Sequence, residues 1–267
     1  MLQLLRIEWM KVKNYRTFWI LLGISIVCIP GLNYTIYNLT ENSFPKIQGK
    51  SILGSPFAFP DVWQTVSWNS SMLFLIPAIL IITLTTNEFV YKTHRQNVID
   101  GWSRRQFIGV KLVEVLLLSL LSTLVVTLTA LVFGSIVNKV PAGISIWGES
   151  RFVFFFFVQA LSYLLIAFLL SMLIKRAGLV MGIWLIYMLI ENIVVGISRN
   201  RFKSTVVDYL PEEVTDRLIP QPYLKAILSP EGAAKWESHV PVYLLVALAY
   251  IIVYCLLTSR RFLRSDL

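Results

Sequence analysis

Long apolar blocks separated by short polar clusters set the pattern of this chain. A bilayer-crossing helix needs about 20 mostly apolar residues, because a rise of about 1.5 Å per residue must cover roughly 30 Å of hydrocarbon. Six blocks meet that length, at Phe18–Tyr37, Val66–Thr86, Leu112–Val137, Phe152–Ile174, Leu179–Ile197 and Val240–Thr258. Pro30 and Pro77 fall within the first two. Each removes a backbone donor, which predicts a kink in its helix. Ahead of the first span, Leu2, Leu5, Trp9 and Val12 recur every three or four residues, while Arg6, Lys13 and Arg16 lie mainly off that stripe. Residues 1–16 therefore read as an amphipathic helix lying on the membrane face.

The connections are unequal. A turn-rich stretch with Pro45, Gly49, Gly54, Pro56 and Pro60 joins spans one and two, and Lys175-Arg176-Ala177-Gly178 is a tight turn between spans four and five. Residues 198–239 form the longest hydrophilic stretch. Within it, Val206–Leu210 and Tyr223–Leu228 carry enough apolar residues for short helices against the membrane. Gly178-x-x-x-Gly182 permits close helix approach at the start of span five. The phenylalanine run of Phe152 and Phe154 to Phe157 reads most simply as lipid-facing bulk. With no internal repeat or separate soluble region, 1–267 reads as one all-α integral membrane domain.

Composition sharpens this picture by exclusion. Hydrophobic residues make up 56% of the chain and charged residues 15%, and mean hydropathy is +0.69. A soluble domain carries about 25% charged residues, so there is too little polar material here to cover one. The net charge of +9 sits in clusters beside the spans rather than in a nucleic-acid-binding patch. About 14 of the 24 basic residues fall on one side of the six-span arrangement, which places both termini in the cytoplasm by the positive-inside rule and the protein in the cell (inner or plasma) membrane. Cys28 and Cys255 lie in apolar blocks, and His94 and His239 lie in separate loops. That inventory offers neither a disulfide framework nor a metal site. No nucleophile elbow, zinc-protease helix or pair of membrane aspartates is present, so no catalytic residue is assigned.

The functional signal concentrates in residues 87–111, the only substantial cytoplasmic loop. Asp100-Gly101 marks a turn, and Ser103 followed by Gln106 fits a capping box opening a new helix. Glu88, Thr93, Arg95, Ser103, Arg104, Phe107 and Lys111 stand in places matching the corresponding loop of type-2 permeases of ATP-binding-cassette exporters, which this segment resembles. Two positions depart from that pattern: Lys92 replaces the usual glycine, and Gly101-Trp102 replaces the usual proline turn. The resemblance extends over nearly the whole chain. That family combines an N-terminal amphipathic helix, six spans, a coupling helix between spans two and three, and an external re-entrant segment between spans five and six.

The resemblance implies a permease that binds no ATP or Mg itself. It would pair with a separate ATP-binding-cassette ATPase and with a second permease copy or a paralogue. It would export an amphipathic substrate, such as a peptide, drug or lipid-like compound, by alternating access. Glu88, Thr93, Arg95, Asp100, Trp102, Ser103 and Arg104 would then carry the coupling to the ATPase. In span five, Glu191 either lines the substrate path with Asn192, contacts a cation, pairs with Arg151 or Arg199, or sits at the interface where the span ends. The alternatives to a permease are a channel or carrier working without ATP, or a membrane anchor for a larger complex.

Overall fold

A computed structural model describes residues 2–42, 46–47, 50–51, 55–93, 96, 99, 101–137, 145–202, 205–224 and 230–264. Its main elements are α1 (Leu2–Lys13), α2 (Arg16–Asn42), α3 (Val62–Ser71), α4 (Leu75–Val90), α5 (Arg104–Val137), α6 (Arg151–Ile174), α7 (Ala177–Ile197), α8 (Glu213–Asp216) and α9 (Pro230–Arg264). One departure from the all-helical expectation is a two-residue antiparallel pair, β1 (Lys46–Ile47) with β2 (Lys50–Ser51).

Among the described residues, five helices are long and apolar enough to cross a bilayer, and the bent pair α3–α4, taken as one span, makes a sixth. The second span thus begins at Val62 rather than Val66 and is broken, with 48° between its halves. The expected kink lies just ahead of Pro77, not at it. Proline crowds the carbonyl four residues back, here that of Leu73. The chain tightens there into i+3 bonds, from Leu73 N to Ser70 O at 3.0 Å and from Ile76 N to Leu73 O at 3.1 Å.

Helix α6 is the hub. Two thirds of its most apolar window, 67%, is buried inside the protein, against 11% for α2 and 17% for α9. It packs against α3, α4, α5, α7 and α9. Ala160, Ser162, Ala167 and Ser171 are fully buried along it, small side chains that let neighbouring backbones approach. This overturns the lipid-facing reading of the phenylalanine run. Phe152, Phe155 and Phe156 are core residues, and only Phe154 is exposed among those whose burial is extreme. A central helix is apolar on all sides, so composition alone cannot tell it from one bathed in lipid. Gly178 and Gly182, by contrast, meet nothing within 4 Å, so the small-residue spacing makes no close helix approach within this chain.

Both ends of the chain lie at one end of the bundle. Phe107 at the start of α5 stacks on Phe262 near the end of α9, with centroids 4.8 Å apart. Lys111 reaches Glu8 of α1, and Lys175, in the turn from α6 to α7, lies 5.1 Å from the Phe89 ring. At the opposite end, residues 205–224 fold over the helices. Tyr250 Oη donates to Tyr209 O, Gln64 Nε2 to Pro220 O and Tyr223 Oη to Asn69 Oδ1, at 3.0, 2.8 and 3.0 Å. Asn69 Nδ2 continues that chain to Asn33 Oδ1 of α2 at 3.0 Å.

Candidate functional site

Helix α1 docks along a line that is not purely apolar. The line packed on the bundle includes Leu4, Glu8 and Lys11, whereas Trp9 is 52% exposed. That line carries charge because its partners are charged. Glu88 ends α4, and Lys111 and Glu114 lie one turn apart near the start of α5. Lys111 Nζ, only 2% exposed, contacts Glu8 Oε2 at 2.7 Å, Glu88 Oε1 at 3.1 Å and Glu114 Oε1 at 3.1 Å. Lys11 Nζ closes the network on Glu8 Oε1 at 2.7 Å and Glu88 Oε1 at 3.5 Å. Burial alone would raise the Glu8 carboxyl, but Lys111 and Lys11 outweigh it and hold it below the usual carboxylate range.

The loop after α4 closes on the same network. Thr93 Oγ1 donates to Glu88 Oε2. Trp102 is buried, with Lys11 Nζ 5.8 Å from its ring centre. Ser103 and Gln106 form the expected reciprocal cap, Ser103 N to Gln106 Oε1 at 2.9 Å and Gln106 N to Ser103 Oγ at 3.2 Å. Arg104 Nη1 donates to Leu263 O of α9 at 3.0 Å. Lys92 has φ +56° and Gly101 φ +95°. Lys92 therefore occupies a left-handed position past the end of α4, where glycine is normally favoured. Of the sequence-assigned residues, Glu88, Thr93 and Trp102 meet at the lysine pair, Ser103 caps α5 and Arg104 ties α5 to α9. Arg95 and Asp100 lie outside the described residues, as do His94, Asn97 and Val98 of the expected coupling helix between spans two and three.

Nothing local in the sequence joins Glu8, Lys11 and Glu114 to the motif residue Lys111. One signal could have linked them: a lysine and several acids fall at one depth, beside the ends of apolar blocks, where an unpaired charge is costly.

The opposite half holds a second cluster. Glu191, 6% exposed, pairs with neither Arg151 nor Arg199. Its Oε1 instead accepts the backbone N–H groups of Glu212 and Glu213 at 2.7 and 2.8 Å. A long-range side chain thus caps the donors at the start of α8, in place of a local capping residue. Asn192 faces the other way, is exposed and lines a cavity. Arg199 and Arg217 each contact Asp208 and Glu213. Asp216 Oδ1 accepts from Gln159 Nε2 at 2.8 Å and Tyr163 Oη at 2.7 Å. Burial, reinforced by Glu191 and Asp216, pushes the Glu212 carboxyl up to about 9. Burial also lifts Asp216 to about 6 against the lowering pull of Tyr163 and Gln159.

A cavity adjoins each cluster. One of about 440 Å³ lies beneath α1, walled by apolar side chains with Glu8 and Glu114 at its edge. The other, of about 510 Å³, lies between the α3–α4 break, α6, α7 and α8. Among the described residues, no group of three or more His, Cys, Asp or Glu side chains could hold a metal ion.

A family model described as "ABC-2 family transporter protein" matches residues 4–195. No curated protein matches the chain. The matched range takes in the lysine-centred network and Glu191, and ends before the cluster around Asp208 and Asp216.

Proposed function

The chain belongs to the ABC-2 transporter family, a multi-pass membrane protein with the helices of a transporter permease, and we propose that it couples export to ATP hydrolysis on a separate ATPase subunit. In this reading residues 87–111 face the cytoplasm and form the surface that the ATPase grips. A second permease copy or a paralogue completes the transport path, and the cargo is amphipathic. The membrane is the cell membrane, with both termini inside.

One observation carries this reading. The loop is joined to the bundle through a buried ion network rather than hung from it. Thr93 contacts Glu88 and Trp102 contacts Lys11, while Glu88 joins Lys11 of α1 to Lys111 of α5, which also holds Glu8 of α1. A push on the loop is therefore delivered to three helices at once, and Arg104 passes it to α9. A ligand or partner shifts a conformational equilibrium only by as much as it binds the two states differently. The grip must accordingly change between the ATP-bound and ATP-free motor.

The test is charge reversal on that surface, Arg95→Glu and Arg104→Glu, in the complex purified with its ATPase. Each variant is expected to assemble and to lose substrate-stimulated ATP hydrolysis by tenfold or more. Normal stimulation in both variants removes the assignment of the loop. Failure of the wild-type chain to co-purify with any ATPase removes the motor itself and favours a channel, carrier or anchor.

A further inference from the structure

The two clusters differ in how their carboxylates are neutralised. In the network of α1, α4 and α5, Glu8, Glu88 and Glu114 each contact a lysine. In the opposite cluster, Glu191, Asp208, Glu212, Glu213 and Asp216 stand against Arg199 and Arg217, and both guanidinium groups are committed to Asp208 and Glu213. Glu191 is satisfied by backbone N–H groups. Glu212 keeps its proton at neutral pH, because burial pushes it up to about 9. That leaves Asp216 ionised at pH 7 with no cationic side chain against it among the described residues. Its Oδ1 has two donors, and among the described residues its Oδ2 has none.

Asp216 lines the cavity of about 510 Å³, within the usual ligand-pocket range of roughly 300–1,000 Å³. The rest of the wall is aromatic and aliphatic, with Trp68, Phe74, Trp184 and Leu185 beside Met188 and Leu189. Two further polar atoms of wall residues, Gln159 Oε1 and Trp184 Nε1, are buried and have no hydrogen-bond partner among the described residues. A small hydrated ion would meet mostly hydrocarbon here. An organic cation would gain on both counts, through a charge-assisted contact to the carboxylate and cation–π or apolar contact with the rings.

We propose that this cavity binds a hydrophobic organic cation, such as an alkylammonium or arylphosphonium group, with its charge against Asp216 Oδ2 and its apolar body among Trp68, Phe74 and Leu185. The proposal takes the ligand to be cargo on the strength of the permease reading, while the site stands on its own walls. Asp216 is the residue that reads the charge. Tyr163 and Gln159 of α6 hold it in place, and Glu191 of α7 and Glu213 of its own helix add the negative field around it.

The experiment is equilibrium binding of tritiated tetraphenylphosphonium to the full chain in phosphatidylcholine nanodiscs. The wild-type chain is expected to bind saturably. Unlabelled dodecyltrimethylammonium should displace the probe, and dodecyl sulfate should not. Affinity should fall about tenfold from pH 7.5 to pH 5.0, as Asp216 takes up a proton. Asp216→Asn keeps an oxygen for Tyr163 and Gln159 and should weaken binding at least tenfold. Leu185→Trp, at a 40% exposed position on the cavity rim, should block binding with the carboxylate intact, so the question survives if Asp216→Asn does not fold. Equal binding by Asp216→Asn, or equal competition by dodecyl sulfate, overturns the cation site. That result leaves the permease reading standing if the chain still co-purifies with its ATPase. A selective cation site in a chain that pairs with no ATPase has the reverse meaning.

Discussion

At the scale of single residues, the strongest constraint is that buried charge must be paired. Removing one partner of a buried ion pair costs about 3–5 kcal/mol, because the charge left behind stays buried. Lys111→Met removes the buried cation that three carboxylates share and takes from Glu114 its lysine, whereas Lys11 is 32% exposed and can be replaced by water. Thermal unfolding in detergent should show a large loss of Tm for Lys111→Met and a loss less than half as large for Lys11→Met. Equal losses would mean the network is not centred on Lys111. Glu212 obeys the same rule by the opposite route, as a carboxyl kept neutral. Its folded pKa of about 9 lies above the ordinary value of 4.5. The folded state therefore holds a proton that the unfolded chain releases, and the contribution of Glu212 to stability is fully present below pH 4.5 and is lost as pH rises toward 9. Between pH 5 and pH 8, Tm of the wild-type chain should fall more than that of Glu212→Gln, which is neutral throughout. Parallel falls would place the titrating group elsewhere.

At the scale of elements, the capping box at Ser103 was legible because it is a local pattern, fulfilled by residues three positions apart. The cap on α8 was not legible, because Glu191 supplies it from about twenty positions away. The kink of the second span was legible in kind but not in place, since proline acts on the carbonyl behind it. Glycines show the same divide. Gly178 and Gly182 have the spacing of a packing motif, yet a Cβ at either would meet nothing within 4 Å, whereas Gly134 in α5 stands in no such motif. A Cβ at Gly134 would stand 2.4 Å from the Phe59 ring, which is 7% exposed. Gly134→Ala should destabilise by about 1–3 kcal/mol, the usual cost of overpacking. Gly178→Ala should stay within about 0.5 kcal/mol of the wild-type chain. Denaturation of the two variants side by side checks this, and an unaffected Gly134→Ala would show that the Phe59 ring moves aside freely.

At the scale of the whole molecule, the bundle has two ends of different chemistry joined by α6. One end gathers both termini, the α4–α5 loop and the lysine-centred network, and the other carries the folded-over segment 205–224 and its acid-rich cluster. Cysteines placed singly at Ser103 and Thr205, in a chain without Cys28 and Cys255, should be labelled by a membrane-impermeant maleimide from opposite sides of sealed vesicles. Labelling of both from one side would contradict the crossing of the bilayer between them.

By itself, the sequence determined what depends on composition and short range. Block length against bilayer thickness gave the spans, clustered Lys and Arg beside them gave the expected orientation, and three- and four-residue spacings gave the N-terminal helix and the cap at Ser103. Tertiary structure decided what depends on which helices become neighbours: that α6 is the centre, that Glu8 and Lys111 meet across 103 positions, and that Glu191 caps α8. In a lipid solvent the physical reason is general. Apolar faces toward lipid and toward protein look alike in sequence, so the polar side chains that choose partners at long range settle the packing.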